Sequence, residues 1–272
     1  MNKEKLKEIL SIPSYSGNEG RVREYIIQFA IDNVIPYIVD TYGNIFLKKG
    51  VVEDGQGYPC VVSHMDTVHV NQTEMTYSDK NLDIIEKETN EGTILYAQTM
   101  RNSGVPYSMG IGGDDKAGIF ICLSLIEQFD NIMGAFFVEE EIGCNGSREA
   151  KHGDGHSYLE QAAYFIQFDA PTDNWISRVC NNVELFNDEF EMVLKPVWKL
   201  YELSEPNIND PITDVKELKL AYPVCCINYF AGYMDMHTPV EYVVIEYVEK
   251  ALNVGASTII ELGVDKYLYK NK

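Results

Sequence analysis

The sequence predicts an α/β fold of three layers, in which a mixed, mostly parallel sheet is flanked by helices. Two patterns carry that expectation. Short apolar runs too brief for a helix, such as Cys60-Val61-Val62-Ser63 and Gly134-Ala135-Phe136-Phe137-Val138, alternate with longer segments of helical periodicity. Several of these runs end on a histidine or a carboxylate, and ligands of an open α/β sheet gather at the carboxyl ends of its strands. With 272 residues, 45% of them hydrophobic, the chain can bury a large core. That length fits one domain, taken as residues 1–272.

The chain opens with an amphipathic helix over Lys3 to Leu10. Ser16-Gly17-Asn18-Glu19 reads as a capping box for a second helix, whose Val22, Tyr25, Ile26, Phe29 and Ala30 share one face. Tyr37 to Asp40 and Asn44 to Leu47 read as a hairpin around Thr41-Tyr42-Gly43, and Cys60 to Ser63 as a buried central strand ending in His64. A second hairpin pairs Leu82 to Glu88 with Thr93 to Gln98 across Asn90-Glu91-Gly92. The Gly-rich stretch Met109 to Asp115 leads into Lys116 to Phe129, apolar on nearly every side and so expected inside the protein. Gly134 to Val138 delivers Glu139, Glu140 and Glu141; Ala163 to Phe168 delivers Asp169; Val224 to Tyr229 is a further strand. Glu189 to Leu194 and Asp214 to Leu218 belong to the remaining elements, and the proline-broken stretch Ser204 to Pro211 reads as a loop. Thr238-Pro239-Val240-Glu241 supplies the N-cap, N1 and N3 signals of a final helix ending near Leu262, which would place His237 just outside a helix N-terminus.

Lysine and arginine number 22 against 42 acidic residues, a formal charge of −20. Nucleic acid and anionic membrane would both be repelled, so neither is an expected partner. No segment approaches the roughly 18 apolar residues that span a bilayer, and Met1 to Glu8 lacks the apolar stretch of a signal peptide. The expected location is cytoplasmic. Six cysteines show no CxxC spacing, which favours neither disulfides nor a cysteine zinc site.

Five potential metal ligands, His64, Asp114, Glu141, Asp169 and His237, lie far apart in the chain, each where a strand ends or a helix begins. Taken singly, each has a plain explanation: a histidine closing a strand, an aspartate capping a helix, a solvated acidic run, a turn. Together they fall at the same edge of one sheet. If Asp66, Asp114, Glu140, Glu141 and Asp169 meet there without cations, each close pair costs on the order of 4 kcal/mol at an effective dielectric of about 20. A few such pairs rival a domain's net stability of roughly 5 to 15 kcal/mol. Divalent ions relieve that repulsion, and two are the natural count. Imidazole plus carboxylate without thiolate suits zinc first, and also manganese or cobalt. A carboxylate bridging ions about 3.5 to 4 Å apart would hold a hydroxide and polarise a carbonyl.

These residues resemble the di-zinc amidohydrolases that include peptidase T, glutamate carboxypeptidase and succinyl-diaminopimelate desuccinylase. The matching pieces are Ser63-His64-Met65-Asp66-Thr67-Val68, Gly112 to Gly118, Glu139-Glu140-Glu141-Ile142-Gly143, Asp169, and Met236-His237-Thr238-Pro239-Val240-Glu241, in the family's order over most of the chain. The resemblance implies a zinc-exopeptidase-like phosphorylase/hydrolase architecture. It also implies that His64 and Asp169 hold one metal, Glu141 and His237 the other, and Asp114 bridges them. Asp66 would orient the His64 ring, and Glu140 would be the general base. A cis peptide at Asp114-Asp115 is implied too.

Relatives of the peptidase T type carry a lid or dimerisation domain between the last two ligands. Here only 67 residues separate Asp169 from His237, so the lid is expected to be absent. Tyr229 or Tyr233 could then replace an oxyanion donor that the lid supplies. The reading reached is a zinc-dependent exopeptidase acting on short peptides as an aminopeptidase or tripeptidase. A deacylase of N-acyl amino acids would share the site, and a catalytically inactive metal-containing peptide-binding protein is the non-enzymatic rival. His69, His152 and His156 read as surface histidines.

Overall fold

The computed structural model of the chain describes residues 1–68, 81–100 and 106–269. Its first half runs α1 (Lys3–Ser11), α2 (Gly20–Asp32), β1 (Tyr37–Val39), β2 (Ile45–Lys49), β3 (Tyr58–His64), β4 (Asp83–Thr89), β5 (Gly92–Met100), β6 (Pro106–Met109), α3 (Gly113–Gln128) and β7 (Ile132–Phe137). Then come α4 (Asn145–Ala150), α5 (His156–Leu159), β8 (Ala162–Phe168), β9 (Ile176–Ser177), β10 (Val179–Cys180), β11 (Val183–Glu184), α6 (Asp188–Leu200) and α7 (Asp214–Ala221). The chain closes with β12 (Cys226–Tyr229), β13 (Tyr233–Met234), β14 (Tyr242–Val244) and α8 (Ile245–Leu262).

The main sheet has seven strands in the order β1-β2-β7-β3-β8-β12-β9. Its four central strands run parallel, with antiparallel pairs at both edges. Strands β3, β7 and β8 are buried at every residue, which is why they read as continuous apolar runs without alternation. The connection from β3 to β7 steps one way along the sheet and those from β7 to β8 and from β8 to β12 step the other. Right-handed crossovers therefore place α3 on one face and α4 and α7 on the other. Helix α3 packs on β3, β7 and β8 and is covered in turn by α1 and α8. Gly113 to Ile126 are all buried, as an all-round apolar helix requires. A Cβ at Gly118 would overlap the Phe168 carbonyl oxygen, so glycine lets α3 lie close against the end of β8.

A smaller sheet of order β13-β14-β5-β4, with β6 also paired to β5, joins the hairpin at residues 83–100 to the C-terminal part of the chain. The hairpin itself was expected, with Thr89 opposite Gly92; its long-range partners were not. Two helix starts differ from the sequence reading. Helix α2 begins at Gly20 without a side-chain cap, and the Ser16 hydroxyl donates instead to Asp66 at 2.7 Å. Helix α8 begins at Ile245, after β14, so His237 lies in the turn between β13 and β14 and not at a helix N-terminus. Thr238 closes that turn, donating to the Asp235 carbonyl and accepting the Val240 amide. Among the described residues no helix is long and apolar enough to cross a membrane. All six cysteines are buried free thiols.

Candidate metal centre

Three neighbouring parallel strands deliver the first side chains. His64 ends β3 opposite Phe137 of β7, and Val62 pairs with Gln167 of β8, so Asp169 sits level with His64 at the carboxyl edge. Glu140 and Glu141 follow β7, whose exit turns at Glu139 in the left-handed region (φ 55°). Asp114 stands in the first turn of α3 with a non-helical ψ of 101°, and its peptide to Asp115 is cis. His237 itself adopts φ 60° in the β13–β14 turn. Left-handed non-glycine residues cost of order 1 kcal/mol or more and collect where surrounding structure fixes them, as at functional sites.

Five of these side chains, His64, Asp114, Glu141, Asp169 and His237, converge. His64 Nε2 lies 3.2 Å from Asp114 Oδ1 and 3.4 Å from Asp169 Oδ1. Asp114 Oδ2 lies 3.1 Å from His237 Nε2, which is 3.0 Å from Glu141 Oε1. One carboxylate thus faces two imidazoles, one through each oxygen, and each imidazole has a second carboxylate beside it. Asp115 also approaches His64 and Asp169, but its oxygens are engaged by the Ser63 hydroxyl at 2.6 Å and the Gly118 amide at 3.2 Å. It fastens α3 to β3.

Asp66 does more than the sequence suggested and does it differently. The nearest acceptor for His64 Nδ1 is the Asp66 carbonyl oxygen at 2.8 Å, with Oδ1 at 3.4 Å. The carboxylate mainly holds the loop after β7, accepting the Glu140 amide at 2.9 Å and the Glu141 amide at 3.1 Å. Glu140 points into the cavity, its Oε1 accepting the Cys144 thiol at 3.3 Å. Burial raises the Glu140 carboxyl well above the ordinary range, reinforced by the nearby acids against the opposing pull of His64.

The cavity over these residues measures about 610 Å³ and continues past Asp169 and Tyr233 to Trp175, Asp210 and Ile212. Of the two tyrosines considered as oxyanion donors, Tyr229 is ruled out by position: its hydroxyl sits in the core between Trp198 Nε1 (2.8 Å) and Thr258 (3.1 Å). Tyr233 lines the cavity, with its hydroxyl 3.4 Å from Asp169 Oδ1.

No family model and no curated relative matches this sequence. Solved structures do match over nearly the whole chain. A TET1 peptidase of Pyrococcus horikoshii is 17% identical, with a TM-score of 0.66 and coverage of 97% of this chain and 99% of that one. An aminopeptidase PepT of Bacillus cereus is 13% identical (TM-score 0.65; 95% and 97% covered), and a tripeptidase of Staphylococcus aureus is 14% identical (TM-score 0.64; 94% and 95%). The chain shares the fold of these peptidases.

Within that fold the donor set fits divalent metal. It offers imidazole nitrogen and carboxylate oxygen, and among the described residues only histidines form ion pairs with Asp66, Asp114, Glu141 and Asp169. His152 and His156 are exposed and apart from this cluster, His156 stacking on Tyr222 at 5.7 Å; His69 lies outside the described residues.

The residue that sequence reading missed is Glu241. Taken as a helix-capping glutamate, it is instead 1% exposed, and its two oxygens accept the amides of Gly112 (2.8 Å) and Asp114 (3.1 Å). It fixes the backbone that carries Asp114. Hydrogen bonds to a charged group are worth roughly 1.5 to 3 kcal/mol each, so Glu241→Ala is expected to destabilise the fold by about 3 kcal/mol. Ion affinity should fall about tenfold or more, as when a ligand's outer partner is lost. Chemical unfolding and metal titration check this; an unchanged midpoint with unchanged affinity would show that the Gly112–Asp114 loop holds itself.

Acids packed this closely also make a pH prediction. Burial pushes Glu141, Asp214 and Glu241 up to about 7 from ordinary values of 4.5, 3.8 and 4.5. A carboxyl raised on folding binds its proton more tightly in the folded chain, so its stabilising contribution is present at low pH and is lost as the pH rises through about 7. Hydrogen bonds that His237 donates to Asp114 and Glu141 raise it to about 10, and that contribution is lost only as the pH rises through about 10, in the same direction. Metal-free protein is therefore expected to melt lower at about pH 8 than at about pH 5.5, with divalent ions restoring most at the higher pH. A melting temperature that climbs between those values without metal would contradict this.

Proposed function

We propose that the chain is a two-metal aminopeptidase that removes the N-terminal residue from short peptides. The observation that carries this is Asp114, whose two oxygens face His64 and His237 separately while Asp169 and Glu141 complete each side. His64 and Asp169 would hold one ion, Glu141 and His237 the other, and Asp114 would be shared. Zinc is favoured by the ligand types, with manganese and cobalt as alternatives. Bound there, the ions would polarise the scissile carbonyl and acidify the attacking water.

The rest of the chemistry belongs to side chains. Glu140 takes the proton of the attacking water and returns it to the leaving amine; burial raises its carboxyl and so strengthens it as a base. Asp66 sets the spacing of base and ligand by holding the consecutive amides of Glu140 and Glu141. The names of the similar structures, aminopeptidase and tripeptidase, favour the release of amino acids from peptides over deacylation. The test is metal analysis followed by incubation with di- and tripeptides. About two equivalents of divalent ion and chelator-sensitive release of N-terminal amino acids are expected. Cleavage confined to N-acyl amino acids would make the protein a deacylase, and ion binding without any cleavage would leave a binding protein.

A further inference from the structure

We propose that the cavity selects a cationic side chain, lysine or arginine, on the residue being removed, with Asp210 as the selecting group. This rests on the aminopeptidase reading and names its substrate class. Asp210 lines the same cavity as Asp114, Asp169 and His237 and is 8% exposed. Its Oδ2 accepts the Trp175 indole N–H at 3.1 Å. Among the described residues no hydrogen bond or ion pair reaches Oδ1, and no lysine or arginine lines the cavity. A carboxylate so nearly buried, with one oxygen open toward a cavity, is completed by a cation from outside.

The surroundings fit such a guest. Trp175, Pro171 and Ile212 offer apolar surface for an aliphatic stem, and the indole beside the carboxylate adds an aromatic ring next to the cationic head. The acid is held rigidly: the Asp210 amide donates to the Val179 carbonyl at 3.0 Å and its own carbonyl accepts the Asn181 amide at 2.9 Å, pinning it to β10. Distance also fits. The Thr213 hydroxyl lies 2.7 Å from Asp169 Oδ2, and the three steps of chain from Asp210 to Thr213 span at most about 10 Å. A substrate's α-ammonium is two bonds from the scissile carbonyl and stays beside the ions, so the group that reaches Asp210 is the end of the side chain. The net charge of −20 draws cationic peptides toward the site.

Binding of free amino acids tests this without relying on turnover. L-lysine, L-arginine and L-norleucine carry the same α-groups, so calorimetric titration of the protein, metal-free and metal-loaded, isolates the side chain. Lysine and arginine are expected to bind about tenfold or more tighter than norleucine, the effect of one charge-assisted hydrogen bond. Asp210→Asn should erase most of that ratio. Equal affinities in the wild-type protein, no detectable lysine binding, or a ratio that survives in a folded Asp210→Asn would overturn the assignment; the wild-type comparison stands even if the variant does not fold. Peptides beginning with lysine or norleucine, assayed in parallel, separate the two claims. Cleavage of both with no binding preference sinks the pocket assignment alone. A lysine preference in binding with cleavage of neither supports the pocket and sinks the peptidase reading.

Discussion

Replacing Glu140 by glutamine is expected to lower kcat on a dipeptide by about 10²- to 10⁴-fold, the usual contribution of a general base, while the ions stay bound. Three features make the substitution clean. Glutamine keeps the size and shape of the side chain, the Glu140 amide bond to Asp66 is untouched, and no histidine of the cluster forms an ion pair with the Glu140 carboxylate. A loss of turnover would therefore report on proton transfer, with Kd for zinc within a fewfold of wild type. Full activity in this variant would overturn the mechanism.

Asp114→Asn is expected to have the other large effect, on ion content. Among the described residues Asp114 is the only carboxylate within 3.2 Å of both histidines, so removing its charge should weaken both positions at once. Breaking a buried charge pair costs about 3 to 5 kcal/mol, which corresponds to roughly 10²- to 10⁴-fold in affinity. Metal titration with absorbance or mass readout should show both equivalents weakening together in this variant, whereas Asp169→Asn should weaken one. Two equivalents held by Asp114→Asn at unchanged affinity would remove the bridging role.

Much of this arrangement could be read from the chain because buried parallel strands are unmistakable as short apolar runs: His64 closes β3, Asp169 directly follows β8, and Glu141 stands four residues past the end of β7. Asp114 was readable from the Gly-rich approach: Gly112 takes φ 67°, and a Cβ there would crowd Thr67 and Lys116. What misled was local signal. Ser16-Gly17-Asn18-Glu19 and Thr238-Pro239-Val240-Glu241 both have capping-box spacing, and in both the glutamate turns inward. Glu19 accepts the amides of Gly17 and Glu139, and Glu241 those of Gly112 and Asp114. A cap is worth about 1 kcal/mol, which a buried carboxylate serving two remote amides outweighs. The Gly17 amide is local, but those of Glu139, Gly112 and Asp114 come from segments 120 to 129 residues away, where periodicity and spacing carry no information. The same holds for Asp210 and Thr213, which lie in or beside a stretch whose polar, proline-broken composition reads only as loop.

Thr213 ties the loop that walls the cavity to Asp169, its hydroxyl 2.7 Å from Asp169 Oδ2, while Gln167 donates to that same oxygen at 3.0 Å. With Asp169 as the proposed ligand and this wall as the proposed recognition surface, recognition and coordination would share a mechanical part. Mutations that reshape the wall to accept a new residue would tug on Asp169 as well, so a lineage exploring other diets would pass through variants with weaker ion affinity. Diversification of this chain should favour changes at the exposed rim, such as Asn209, where the strain is not handed on.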